Sequence, residues 1–169
     1  MFCRGFYILV GMKNTFRQTV RIGGKRTIIT TRNGNVTTKA ALPLEFELQA
    51  AQVRALRAMP EYARAARDVR PGTFTLAADQ NAARRGPAGE HDVRIYMYGG
   101  VLGLIENKVG QARLSPVQVD RHAVLAALGF RRQEVIRSTD PDDAAAQAVR
   151  IVRGWLAAND NSLSRASEA

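Results

Sequence analysis

The chain has 169 residues, of which 46% are hydrophobic, and this is enough for one ordinary domain with tails. Its formal net charge of +10 favours polyanionic partners such as nucleic acids, although a merely soluble basic protein has the same balance. The single cysteine, Cys3, excludes an internal disulfide framework and a cysteine-rich zinc site, and it fits a reducing cytoplasm best. The apolar run at residues 6–10 is far too short to span a bilayer, so no membrane partner is expected.

Residues 18–39 alternate between apolar and polar side chains around two turn signals. Gly23-Gly24 separates the first strand from the second, and Asn33-Gly34 separates the second from the third, because both residues of Asn-Gly accept positive φ. The pattern predicts a basic β-meander, forming an N-terminal β-hairpin extension over residues 1–40. A structural arm or a dimerisation hairpin fits this pattern as well as a nucleic-acid-binding one. Its basic residues are Arg21, Lys25, Arg26, Arg32 and Lys39.

A helix is predicted from Leu44 to about Met59, where Pro60 acts as a stop signal. Three polar side chains, Glu45, Gln49 and Gln52, fall within its apolar arc. Inward polar groups are costly unless they are paired, so this pattern indicates either a solvated helix edge or a functional face. The apolar arc itself consists of Leu44, Phe46, Leu48, Ala51, Val53, Ala55, Leu56 and Met59.

The central segment, residues 92–108, consists of two short apolar strands joined at Gly99-Gly100. In an antiparallel hairpin the turn brings Asp92, Glu106 and Lys108 to the same end of the sheet. A strict two-residue loop would pair Asp92 with Asn107, on the wrong face. A one-residue bulge, for which Gly103 is the natural candidate, would instead place Asp92 with Glu106 and Lys108.

The remaining segments alternate between helices and strands and predict an α/β fold class. Ser115 is the expected N-cap of one helix, with Pro116 at its first position, and Gln118 in the first turn points toward the sheet. The predicted elements are a short helix at 61–68, a strand at 73–77, a loop at 79–90, a helix at 115–129, a strand at 132–137, a helix from 141 to about 157, and a disordered polar tail at 159–169.

Two carboxylates and an amine at one sheet end have the composition of a divalent-metal site. Asp92 and Glu106 can hold Mg²⁺, the Asn107 carbonyl lies between Glu106 and Lys108 and could add a ligand, and Lys108 can orient a water or stabilise phosphate charge. Acid-x-lysine is also common on surface strands as a simple ion pair. Four arginines are candidate phosphate contacts or solvated charges: Arg84, Arg85, Arg94 and Arg113.

Taken together, these motifs resemble the VRR-NUC domain of the PD-(D/E)XK nuclease superfamily. The matching parts are Glu45-x-x-x-Gln49, Gly89-x-x-Asp92, Ile105-Glu106-Asn107-Lys108 and the segment from Gly110 to Gln118, within residues 44–138. The resemblance implies that Asp92 and Glu106 are metal ligands and that Lys108 is the catalytic lysine. It also implies that Gln118 supports the active site and that Glu45 approaches the metal site from the helix as a further candidate ligand. One departure is His91, where the family commonly has proline.

The resemblance further implies a restriction-endonuclease-like α/β core, a mixed central sheet flanked by helices, over residues 41–158. The resulting prediction is a cytoplasmic, Mg²⁺-dependent endodeoxyribonuclease, with Mn²⁺ as a substitute, that acts as a homodimer on branched DNA such as four-way junctions. Two alternatives remain: a non-catalytic DNA-binding module with the same fold, and a nuclease acting on RNA.

Overall fold

The chain forms two compact units that divide between Leu42 and Pro43. The structure is a computed structural model and describes residues 15–23, 25–78 and 89–167. The first unit contains β1 (Thr15–Ile22), β2 (Lys25–Arg32) and β3 (Asn35–Ala40). The second contains α1 (Glu45–Arg57), α2 (Pro60–Ala65), β4 (Phe74–Ala77), β5 (Val93–Met97), β6 (Val101–Val109), α3 (Pro116–Ala127), β7 (Arg132–Ser138) and α4 (Pro141–Ser167).

The first unit is a three-stranded antiparallel sheet in the order β1-β2-β3, which confirms the predicted meander. Its second turn lies at Asn33 and Gly34, whose φ angles of 50° and 79° are the left-handed values that this dipeptide accepts. No side chain described in this sheet is fully buried. The meander is therefore a single layer of strands without a core of its own.

The second unit is built on a four-stranded mixed sheet in the order β4-β5-β6-β7. The first three strands are antiparallel neighbours, and β7 runs parallel to β6 after the crossover through α3. The protein is therefore an α/β protein with one antiparallel and one mixed sheet.

The core lies on one face of the mixed sheet, where α1 and α4 pack side by side. Because strand side chains alternate, Val93, Ile95 and Ile105 point into this core while Glu106 and Lys108 point to the other face. Gly103 also lies on the core side, where a Cβ would overlap the ring of Trp155. The core otherwise consists of Leu48, Leu56, Met59, Phe74, Met97, Ile136, Ala144, Ala148, Val152 and Leu156.

The orientation predicted for α1 is correct except at its first turn. Gln49 and Gln52 are buried with Leu48, but Leu44 and Phe46 are 43% and 47% exposed. Leu44 is the N-cap and Phe46 lies in the first turn of α1. The predicted inward stripe was therefore wrong at its N-terminal end.

The predicted disordered tail from residue 159 is wrong, because α4 continues to Ser167. Asn159 is buried, and its Nδ2 donates to the Tyr98 carbonyl oxygen at 2.7 Å. Asp160 Oδ1 accepts from the Gly72 backbone N–H at 2.8 Å. Polar residues that looked like a solvated tail therefore bind the turns at the far end of the sheet.

No helix within the described part of the chain is both long and apolar enough to cross a membrane.

Candidate active site

The site lies at one end of the β5–β6 hairpin, and loop length sets its register. Met97 pairs with Val101, so Tyr98, Gly99 and Gly100 form a three-residue connection. The two glycines have φ of 79° and 76°, a conformation that a side chain would strain. This loop, one residue longer than a tight two-residue turn, shifts the register by one.

The predicted bulge at Gly103 was wrong, although the juxtaposition it was meant to explain is present. Gly103 pairs regularly with Ile95, and Val93 pairs with Ile105. Extending this ladder by one residue sets Asp92 opposite Glu106, on the face that also carries Lys108. The extra loop residue therefore produces the one-residue shift of register that was expected from a bulge.

Lys108 is the centre of the polar cluster. Its Nζ lies 2.9 Å from Glu106 Oε1 and 3.1 Å from Glu45 Oε1. Lys108 and Glu106 are almost completely buried, whereas the Glu45 side chain is 47% exposed. Glu45 is the first residue of α1, where the helix dipole also favours a carboxylate. The first turn of α1 therefore delivers an acid to the lysine of β6.

Asp92 is fixed by backbone contacts from two sides. Its Oδ2 accepts from the Asn107 backbone N–H at 2.7 Å, and its carbonyl oxygen accepts from Gln49 Nε2 at 2.6 Å. The inward position predicted for Gln49 thus has a structural reason, because this amide ties α1 to the residue that starts β5. The carboxylate of Asp92 is held beside β6.

Gln118 reaches the same cluster from α3. Ser115 is the N-cap of this helix, accepting from the Gln118 backbone N–H at 3.3 Å, and Pro116 follows as predicted. The Gln118 side chain accepts from the Ser115 backbone N–H and donates through Nε2 to Glu106 Oε1. The structure therefore brings Glu45, Asp92, Glu106, Lys108 and Gln118 together, as expected from the sequence.

Burial and mutual repulsion of the two opposed acids dominate the electrostatics. Burial, reinforced by the charge of Asp92, raises the pKa of Glu106 to about 7 despite the opposing effect of Lys108. Burial also raises the pKa of Asp92. For Lys108, burial lowers the pKa, but hydrogen bonds and charges from Glu106 and Glu45 outweigh it and the pKa is raised. Three carboxylates thus surround one ammonium, and the cluster is short of positive charge.

The donor set fits a hard cation that keeps much of its water. The described residues contain no group of three or more His, Cys, Asp and Glu side chains that could hold a metal by themselves. Mg²⁺, however, is commonly bound through one or two carboxylates, with waters and substrate phosphate completing its shell. Glu106 Oε2 is buried without a hydrogen-bond partner in the described residues. Asp92 and Glu106 therefore fit such an ion, and a cation would relieve both.

Asn107 contributes differently from Asp92 and Glu106. Its side chain points to the core face, where Oδ1 accepts from Gln52 Nε2 at 2.6 Å. The predicted metal ligand of Asn107 is its backbone carbonyl oxygen, and this side-chain contact does not involve that atom. The Gln52–Asn107 pair was not predicted, although the inward position of Gln52 was its signal.

Two of the four candidate phosphate-binding arginines, Arg94 and Arg113, lie in the described part of the chain. Arg84 and Arg85 lie outside the described residues. Arg94 is partly buried, with Nη2 3.8 Å from Glu90 Oε2, while Arg113 is exposed in the loop after β6. Among these residues, Arg113 is therefore the better-exposed candidate for contacting a ligand.

A histidine pair next to the site was also missed. The rings of His91 and His122 stack with centroids 4.0 Å apart and planes 13° apart. Because one residue precedes Asp92 and the other lies on α3, their contact depends on tertiary packing. No sequence signal pointed to it.

These features define an α/β protein with a buried acid–lysine cluster at a hairpin end. In comparisons with known proteins, no family model, no curated protein and no solved structure matches the chain.

Proposed function

We propose that the protein is a Mg²⁺-dependent endonuclease that hydrolyses DNA phosphodiester bonds, with a restriction-endonuclease-like core and a VRR-NUC-like site. One observation carries the proposal: a buried lysine between two acids, Glu106 and Glu45, with Asp92 opposite Glu106 across the hairpin. Phosphodiester hydrolysis needs an activated water and neutralisation of phosphate charge, and this cluster has the groups for both.

Each residue has a role that follows from its contacts. Asp92 and Glu106, with the Asn107 carbonyl, would hold Mg²⁺, which supplies Lewis-acid polarisation of the phosphate and a more acidic bound water. Lys108 supplies an ammonium at the phosphate, where it orients the attacking water or stabilises transition-state charge. Gln118 and Glu45 are positioning residues, because one holds Glu106 and the other holds Lys108.

Substrate and assembly belong to the same proposal. The basic composition favours a polyanion, and the resemblance to stand-alone nuclease domains suggests a homodimer acting on branched DNA. Mn²⁺ is expected to replace Mg²⁺, because both are octahedral ions that accept oxygen ligands.

The test is cleavage of a four-way junction, a flap, a linear duplex and an RNA by purified protein with Mg²⁺, Mn²⁺ or EDTA. We expect cation-dependent cleavage of DNA that falls at least about 100-fold in Asp92→Ala, Glu106→Gln and Lys108→Ala, while DNA affinity in EDTA stays close to that of the parent.

Glu134→Gln is a matched control for Glu106→Gln. Glu134 is an exposed glutamate on β7, the neighbouring strand, and pairs with Ile105, so its loss should leave the rate within about twofold. Unchanged cleavage in Glu106→Gln or Lys108→Ala would refute the site. DNA binding without cleavage under any cation would instead favour the non-catalytic module, and preferential cleavage of the RNA would favour the RNA nuclease.

A further inference from the structure

The positive charge of the chain is concentrated in its first unit. Up to residue 44 the sequence contains eight basic residues and no acidic residue. From residue 45 onward, 17 basic residues face 15 acidic ones, so the remainder is nearly balanced. The net charge of +10 is thus mainly a property of the N-terminal segment, and the described meander carries most of these basic residues.

Strand register places five of the six basic residues of the meander on one face, and Lys25, which pairs with Ile22, is the exception. Arg21 stands directly opposite Arg26, while Arg17 stands opposite Thr30. Because side chains alternate along each strand, the positions in register with these share a face. The cationic face consists of Arg17, Arg21, Arg26, Arg32 and Lys39, with Thr15, Thr19, Ile28, Thr30, Asn35 and Thr37 between them.

The opposite face has a different composition. Its register positions include the apolar residues Phe16, Val20, Ile22, Ile29 and Val36, with neutral polar residues between them and one basic residue, Lys25, at the end of the sheet. Arg17, Arg21, Arg32 and Lys39 are exposed and Arg26 is half-buried, with Nη1 donating to the Leu42 carbonyl oxygen at 2.9 Å. Like charges directly opposite each other, such as Arg21 and Arg26, destabilise a sheet. Cations gathered on one face, in a segment without acidic residues, therefore lower the stability of the sheet. This indicates that the face has a function other than folding.

We propose that this cationic face binds the phosphate backbone of duplex DNA, as a contact separate from the acid–lysine cluster. Its outermost cations, Arg32 and the Arg21–Arg26 pair, are six residues apart along the strands, or about 20 Å. A DNA strand carries one phosphate per about 3.4 Å of axis, so the face matches roughly six base pairs. The threonines and Asn35 add neutral phosphate donors.

Two features favour DNA over an anionic membrane. Four of the five cations are arginines, whose planar fork binds phosphate oxygens bidentately. A membrane-binding face normally inserts apolar side chains among its cations, and Ile28 is the one large apolar residue on this face. The inference rests on the proposed function only in taking DNA as the polyanion, because none of its residues belongs to the cleavage site.

The experiment measures binding of the full chain to a labelled duplex of about 20 base pairs, in EDTA, over a range of KCl concentrations. The face variant is Arg17→Gln/Arg32→Gln/Lys39→Gln. The charge-matched control is Arg150→Gln/Arg153→Gln/Arg165→Gln, three exposed positions on α4. Removing three phosphate contacts should lower the slope of log K against log salt by up to about 2.7 and weaken binding at least tenfold, with less than about a threefold change in the control.

A charge-preserving variant, Arg17→Lys/Arg32→Lys/Lys39→Arg, should keep most of the slope, which separates lost charge from a misfolded sheet. Equal slopes for the face variant, the control and the parent would overturn the inference. So would unchanged DNA binding combined with lost co-sedimentation on phosphatidylserine vesicles. DNA binding through this face without cleavage would overturn only the nuclease proposal, and cleavage with a face-independent salt slope would overturn only this inference.

Discussion

At the scale of single residues, Glu106 is a buried carboxylate with only one of its two oxygens paired among the described residues. Oε1 accepts from both Lys108 and Gln118, while Oε2 has no hydrogen-bond donor among the described residues. A buried carboxylate that is only partly paired is expensive, and the rise of its pKa to about 7 expresses that cost. A cation bound between Glu106 and Asp92 would remove it.

His91 provides a residue-scale prediction about acid stability. Burial, with the charges of His122, Arg94 and Arg121, lowers the pKa of His91 to about 4. The unfolded chain binds this proton near pH 6.5, so the contribution of the neutral ring is complete above 6.5 and is lost as pH falls toward 4. In His91→Leu, the free energy of unfolding should fall less between pH 7.5 and 5, by up to about 2 kcal/mol.

Urea titrations at the two pH values check this. Comparing each protein with itself at pH 7.5 removes the packing change that the substitution introduces. Parallel pH curves for the parent and His91→Leu would contradict the assigned role.

At the scale of secondary-structure elements, α4 contacts the β5–β6 hairpin in the middle of β6 and at the connecting loop. Trp155 occupies the space left by Gly103 in the middle of β6, and Leu163 lies against Gly99 in the loop. Asn159 binds the Tyr98 carbonyl oxygen between these two contacts. The C-terminal turns of α4 therefore help to hold the three-residue loop, and the loop sets the register that brings Asp92 opposite Glu106.

Asn159→Ala should destabilise the protein by about 1–2 kcal/mol, because a buried carbonyl oxygen loses its donor. Asn161→Ala is the matched control, since Asn161 is exposed on the same helix two residues away. Chemical denaturation of both variants measures the difference. Equal stability of the two variants would show that the end of α4 does not support the loop.

At the scale of the whole molecule, the two units differ in how they are stabilised. All residues of the hydrophobic core come from the second unit, between Leu48 and Leu156. The meander is held by its strand pairing and has no described side chain that is fully buried. The second unit therefore contains the hydrophobic core of the described residues, and the first unit carries most of the excess positive charge.

A fragment spanning residues 43–169 should fold by itself and unfold in one cooperative transition. The physical reason is that its apolar core and mixed sheet are complete without the meander. Calorimetry and circular dichroism of the fragment beside the full chain provide the measurement. A fragment without a cooperative transition would show that the meander is part of the folding unit.

The sequence by itself determined the elements whose signals are local. Asn33-Gly34 specified the meander turn, Ser115-Pro116 specified the start of α3, and residue alternation placed Glu106 and Lys108 on one face. The inward position of Gln49 was also readable from helical spacing. These features depend on turn chemistry and periodicity, which act over a few residues.

Only the tertiary structure decided the features that depend on contacts far apart in the chain. The register of β5 and β6 came from the loop length and not from a bulge, and Asn159 became a buried partner and not part of a disordered tail. The Lys108–Glu45 pair spans 63 residues. From composition alone, a polar residue is expected to lie in solvent. The hydrogen-bond partner that offsets the cost of burying it becomes visible only when distant segments of the chain are packed together.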